Sequence, residues 1–224
     1  MARVRTATTT RWAGIPAARR KDERRDLLVN AAFELFGAEG EAGLSVRAVC
    51  RAAELHTRYF YENFADTGEL LAAVYDQQAV ALSARLTDAL HQAGAAPGTR
   101  TRAGIRSVLR FITDDPRRGR VLFAEARGNE VLAARRRAAQ TALLDDLILA
   151  SLPGSEEAAP ALPALIAATM FAGAMSELAQ QWADGRLGDD LDAVVDDAVE
   201  LSLALHTRTV ERLTRDARRP GAAP

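Results

Sequence analysis

The sequence predicts an all-α protein: an N-terminal three-helix unit holding a helix-turn-helix, bridged by one long helix to a C-terminal helical body, about nine helices in total. Three observations predict it. Aromatic residues make up only 5% of the 224 residues and alanine is abundant, a bias toward helix and away from β-sandwiches. Apolar residues recur at three- and four-residue spacing through most of the chain, and almost no run of β-branched or aromatic residues reads as a strand. Between Ser45 and Asn63 lie two segments too short to be stable helices alone in water, so a larger unit must hold them.

Taken in order, residues 1–17 are rich in Thr, Arg and Ala without periodicity and read as a disordered basic arm. A first helix over Ala18–Ala38 follows from the stripe Leu27, Leu28, Ala31, Ala32, Leu35 and Phe36, closed by Gly37 and Gly40. Ser45 is a good N-cap for a second helix, with Val46, Val49 and Cys50 facing inward. A third helix spans His56–Asn63, and Phe60 and Phe64 are its core residues. Asp66 and Glu69 stand at capping-box spacing and start a fourth helix that runs to about Gln92, with Leu70, Leu71, Val74, Leu82 and Leu86 on its stripe. Five more helices are expected: Arg100–Thr113, Pro116–Glu125, Asn129–Leu152, Pro163–Asp184 and Asp189–Arg215, before a disordered tail over 216–224. The expected domains are therefore 18–65 and 66–215. The triplet Arg135–Arg137 reads as a solvated face.

Charge supports an uneven division of labour. Of the chain's 29 Lys+Arg and 30 Asp+Glu, eleven and eight fall in Met1–Phe64, which leaves 18 against 22 in the remainder. A mildly positive front and an acidic back suit a chain that meets phosphates at one end. Cys50 is the sole cysteine, so an intrachain disulfide and a cysteine-rich metal site are excluded. His56, His91 and His206 lack ligand spacing, and neither a metal nor another cofactor is expected. The apolar stretch Leu162–Met175 is too short to span a bilayer, so the expected location is the cytoplasm.

A short helix presented after a tight turn is the geometry that enters a DNA groove. The exposed candidates at its start are His56, Thr57, Arg58 and Tyr59. Arg58 suits base reading, since a guanidinium can bond guanine O6 and N7 together; a plain phosphate contact is the other role open to it. Tyr61 and Asn63, with Ser45 and Arg47 from the preceding helix, can bond backbone oxygens.

These residues resemble the DNA-binding region of TetR-family transcriptional repressors. The resemblance covers about residues 24–75 and rests on Ala31-Ala32, Leu35-Phe36, Gly40, Ser45-Val46, Val49, Ala53, Leu55, Tyr61, Phe64, Glu69 and Leu70. It implies DNA contacts at Ser45, Arg47, Thr57, Tyr59, Tyr61 and Asn63. Three positions depart from the family's pattern. Glu54 replaces the usual turn glycine, His56 a usual serine cap, and Thr67 a common phosphate-binding lysine. The resemblance also implies a ligand-responsive regulator, a repressor that binds a palindromic operator as a homodimer and is released by a small hydrophobic effector. Phe111, Phe123, Met170, Phe171, Met175 and Trp182 are candidates for an apolar pocket, with Glu125, Arg127 and Glu177 as its polar groups.

A small-residue track, Ala168, Ala172, Ser176 and Ala179, with Val195, Ala198, Ser202 and Leu205 on the last helix, is the candidate dimer face; the subunit's own core is the other role open to both helices. The alternative is a helical adaptor or small enzyme without DNA binding. Against the enzyme stands the lack of a Ser/His/acid set, a phosphate-cradling glycine loop or metal-ligand spacing.

Overall fold

The computed structural model describes residues 17–94, 96–124, 129–150 and 162–217. The expected arm up to Pro16 and the end of the expected tail, from Arg218, lie outside the described residues, as do Glu125 and Arg127. Among the described residues the protein is all-α. The helices are α1 (Ala17–Glu39), α2 (Val46–Ala52), α3 (Thr57–Tyr61), α4 (Thr67–Gln92), α5 (Pro97–Asp114), α6 (Pro116–Gly119), α7 (Glu130–Ala150), α8 (Leu162–Ala183) and α9 (Leu191–Ala217). No helix among them is long and apolar enough to cross a membrane.

Helix α1 buries Leu28, Val29, Ala31, Ala32, Phe33 and Phe36 along one stripe. Gly40 closes it with φ of 68°, a left-handed conformation that costs glycine little, and a 3-10 turn over Gly40–Gly43 leads on. The Ser45 side chain accepts from the Ala48 N–H at 3.2 Å and caps α2. At the head of α4, Asp66 Oδ1 accepts from the Glu69 N–H at 2.8 Å while Glu69 Oε2 accepts from the Ala65 N–H at 2.7 Å. The first bond is the one the 66/69 spacing predicts; the return bond goes to Ala65, one residue before the N-cap, in place of the N-cap's own N–H.

Two boundaries differ from expectation. Helix α5 begins at Pro97 instead of Arg100, because proline's fixed φ suits the first turn and the Thr99 hydroxyl donates back to the Ala96 carbonyl at 2.8 Å. The expected single helix Pro116–Glu125 is a four-residue helix followed by a π turn, Arg120–Ala124. The turn re-aims Val121, Leu122 and Phe123 toward different neighbours.

Two apolar clusters hold the molecule. The first gathers α1–α3 and the head of α4, with Phe36, Val49, Phe60, Leu70 and Val74 fully buried, and runs on into Phe111, Val121, Leu122 and Leu132. It thus crosses the 65/66 position. The second joins α5, α8 and α9 through Ile105, Leu109, Ile112, Ala179, Trp182, Val195 and Val199. Each fully buried large side chain there contributes about 1.5–3 kcal/mol. The Trp182 indole N–H, buried with the ring, donates to Thr113 Oγ1 at 3.0 Å, so the burial leaves no orphan donor.

Candidate nucleic-acid interface and inner cavity

Helix α3 is only five residues long, so it exists because Phe60 and Phe64, 0% and 2% exposed, pin it to the first cluster. That anchoring turns the other side outward. Ser45, Arg47, His56, Thr57, Arg58 and Tyr61 are exposed, Tyr61 to 64%, while Tyr59, Asn63 and Thr67 are half-buried.

The turn between α2 and α3 is strained. Glu54 has φ of 55°, the only positive value at a non-glycine residue among those described. A side chain there costs roughly 1–2 kcal/mol relative to an unstrained conformation. His56 occupies the N-cap of α3 in an extended conformation and makes no side-chain capping bond, so α3 starts without the help a serine would give.

The outward side chains are not all free. Arg58 Nε donates to Glu62 Oε1 at 2.8 Å, and Arg24 Nη2 of α1 stands 3.6 Å from the same carboxylate. The Glu62 hydrogen bond, with its charge, holds the Arg58 guanidinium above its ordinary pKa. Arg24 also lies 4.4 Å over the Tyr59 ring, which fixes that ring beneath a cation. Asn63 Nδ2 donates to the Tyr59 carbonyl at 2.7 Å, so it closes the end of α3 and is less available to a phosphate than its sequence position implies. Arg24 and Glu62 escaped sequence reasoning. The four-residue spacing of Arg58 and Glu62 was a readable signal; Arg24, on α1, offered none.

Cys50 is buried, and desolvation raises its thiol above the ordinary pKa, as befits a core residue.

A half-open cavity of about 450 Å³ lies between α4, α5, α7, α8 and the π turn, with Val80, Ser83, Ala139 and Ala142 exposed at its mouth. Helix α4 supplies Tyr75, Ala79, Val80, Leu82, Ser83 and Leu86; α5 gives Val108; the π turn gives Leu122 and Phe123. Helix α7 gives Arg136, Ala139, Gln140 and Ala142, and α8 gives Ala172, Met175 and Ser176.

Of the pocket residues read from sequence, Phe123 and Met175 line this space. Phe111 is instead packed in the first cluster and Trp182 in the second. Met170 is 55% exposed on the outer side of α8, Phe171 is half-buried away from the cavity, and the exposed Glu177 pairs with Gln181 on its own helix. The difference has one geometric cause: the α8 face toward the cavity is Ala172, Met175 and Ser176, nearly half a turn from Met170 and Glu177. The arginine triplet is corrected too. Arg135 and Arg137 are exposed as expected, but Arg136 turns inward to the cavity.

The small-residue track likewise faces inward. Ala168, Ala172 and Ala179 are buried, as is Val195 of α9, because small side chains let helices of the same subunit approach closely. Ser176 lines the cavity, and Ala198, Ser202 and Leu205 are half-buried. The apolar surface left outside is a different one: Leu162, Ile166 and Met170 on α8, and Leu201, 72% exposed, on α9.

The reading pair and the body are clamped together through α6. Arg117 pairs with Glu34 of α1, lies 5.1 Å from the Phe33 ring centre, and is steadied by Asp115 at 2.9 Å. Gly37 is what permits this approach, since a Cβ there would lie 2.6 Å from Arg117 Cβ. Arg120 Nη1 donates to the carbonyls of Gly37 and Ala38, at 3.0 and 2.9 Å.

Residues 28–74 match the family model of the bacterial regulatory proteins of the tetR family. Among solved structures, a TetR-like transcriptional regulator from Rhodococcus sp. RHA1 is 20% identical, with 80% of this chain and 93% of that one covered and a TM-score of 0.61. The fatty acid degradation regulator FadR from Bacillus halodurans is 17% identical, with coverage of 80% and 94% and a TM-score of 0.66. The multidrug binding protein EbrR, complexed with imidazole, is 21% identical, with coverage of 88% and 96% and a TM-score of 0.63. At these identities the likeness is one of fold. The reading pair, α2 and α3, lies wholly inside the matched segment, so residues 28–74 are similar to the N-terminal unit of the tetR family's bacterial regulatory proteins.

Proposed function

We propose that the chain is a repressor that grips an inverted-repeat operator as a homodimer and lets go when a small effector fills the inner cavity. One observation carries this reading: α4 belongs to both ends of the machine. Its first turns, Leu70, Leu71 and Val74, are buried in the cluster that holds α3, and its next three turns, Tyr75 to Leu86, form a wall of the cavity. A ligand that prefers a different packing of α4 against α7 and α8 shifts the reading helix by its differential affinity for the two states.

Within this reading, 18–65 is the DNA-binding domain and 66–215 the ligand-binding and dimerisation domain, with α4 shared between their cores. Arg58 reads a base edge, while Ser45, Arg47, His56, Thr57, Tyr59, Tyr61 and Thr67 position the protein on phosphates, and Asn63 acts by holding α3 closed. Glu62 is a built-in competitor that Arg58 must leave in order to reach guanine. The dimer forms through the exposed apolar side of α8 and α9, around Ile166, Met170 and Leu201, in place of the inward alanine track. Such a face would otherwise stay in water. The cytoplasm, where the DNA is, is its place of work.

Selection of genomic fragments with the purified protein tests the proposal. The expected product is an inverted repeat whose half-sites lie one turn apart, about 34–36 Å. A single asymmetric site, or no retained duplex at all, refutes it. Met170→Glu with Leu201→Glu should yield a monomer in sedimentation that binds the operator weakly; an unchanged dimer would move the interface elsewhere.

A further inference from the structure

The cavity's lining names a ligand chemistry. It is apolar on almost every side, and among the described residues it holds one charged side chain, Arg136. Arg136 Nη1 is buried and without a hydrogen-bond partner among the described residues. The nearby acid is already engaged: Asp76 pairs with Arg135 at 3.2 Å on the outer surface. A guanidinium nitrogen withdrawn from water and left unpaired is unfavourable unless something else supplies the acceptor. Its neighbours on the wall are polar but uncharged: Tyr75, Ser83, Gln140 and Ser176. Burial pushes the Tyr75 hydroxyl up to about 12, against the opposing pull of Arg136, so it stays a protonated phenol and a potential donor.

We infer that the effector is an amphiphilic monocarboxylic acid, its carboxylate held by Arg136 and its apolar body lying along Val80, Leu86, Phe123 and Met175. This rests on the cavity being the effector site. The charge count favours a monoanion: one guanidinium balances one carboxylate, whereas a phosphate dianion would bring an uncompensated charge into an apolar space. A cationic ligand meets a like charge there. Size sets the length. At the roughly 30 Å³ that a water molecule occupies in the liquid, about 450 Å³ holds on the order of fifteen non-hydrogen atoms. A carboxylate on a chain of about a dozen carbons fits.

Calorimetry on the full chain with dodecanoate, dodecanol and dodecyltrimethylammonium, each below its micelle concentration, tests the assignment. Dodecanoate should bind at least tenfold tighter than dodecanol, and the ammonium should bind weakest. In Arg136→Gln the dodecanoate preference should vanish while dodecanol binding persists. The wild-type panel decides by itself should that variant fail to fold. Dodecanol binding as tightly as dodecanoate, or the ammonium binding tighter, overturns the acid while leaving the cavity as an apolar effector site. Absence of binding by all three overturns the cavity as the site, and the acid with it.

Discussion

The two halves of the molecule are packed to opposite ends. Around α3 the chain leaves no slack: Phe36, Val49, Phe60, Leu70 and Val74 have no exposure at all. Between α4, α7 and α8 it leaves a cavity of about 450 Å³ and keeps an arginine nitrogen inside that has no partner among the described residues. A reader of base edges has to hold one shape, and close packing supplies that rigidity. In the proposed function the other half is a sensor, which has to exist in two arrangements of similar free energy, and unfilled space and an unmet charge allow that.

The largest effect that would test this contrast is Phe60→Ala. With its ring fully buried, the substitution should cost about 3–5 kcal/mol and abolish DNA binding, read by thermal melting and gel retardation. Met175→Ala on the cavity wall should cost less, about 2 kcal/mol, at the low end of the range for such truncations, and spare DNA binding. Equal costs would break the comparison.

Arg58→Ala comes next. It should remove about 1–3 kcal/mol of discrimination at one base pair per half-site, measured across a base-substitution panel. A loss uniform over the panel would make Arg58 a phosphate contact.

The joint between the halves gives a smaller effect. Asp115 caps α6 and steadies Arg117; Asp115→Asn keeps a good cap but gives up the charge, and should cost up to about 1 kcal/mol, seen as a lower melting temperature. The hydrogen bond from Arg117 holds the Asp115 carboxyl below its ordinary range, against the opposing effect of burial. Its contribution to stability is therefore fully present above the unfolded carboxylate pKa and is lost as pH falls through the lowered folded value. The wild-type and Asp115→Asn melting temperatures should accordingly converge under acid conditions; a constant gap would assign the effect to something other than charge.

The smallest expected change is a gain. Glu54→Gly relieves the φ of 55° and should stabilise by under about 1 kcal/mol, since glycine returns part of the benefit as unfolded-state entropy.

Much of the reading half was legible in the chain because its signals are local. The stripe of α1, the Ser45 cap and the Asp66–Glu69 box each lie within one or two turns of sequence. Glu54 was legible as well: a side chain where the turn wants glycine has to adopt a left-handed backbone, and it does. The body resisted because its decisive features depend on which helix lies opposite which. Helices α8 and α7 are apolar or mixed on several faces, so composition alone could not say that Ala168 and Ala172 turn inward while Met170 turns out. Nor could it separate Arg136 from Arg135 and Arg137, although a step of one residue turns a helix by about 100°. The π turn at Arg120–Ala124 has no local signature, and it decides where Leu122 and Phe123 point.

The bonds from Arg120 to the carbonyls of Gly37 and Ala38 bear on how such regulators can be recombined. The last turn of the first helix is finished by a side chain more than eighty positions away, so the head is not a detachable cartridge. Grafted onto another relative without the π turn that follows α6, it would fray where it should be stiffest, and the hybrid would lose grip on DNA with every residue of α3 intact.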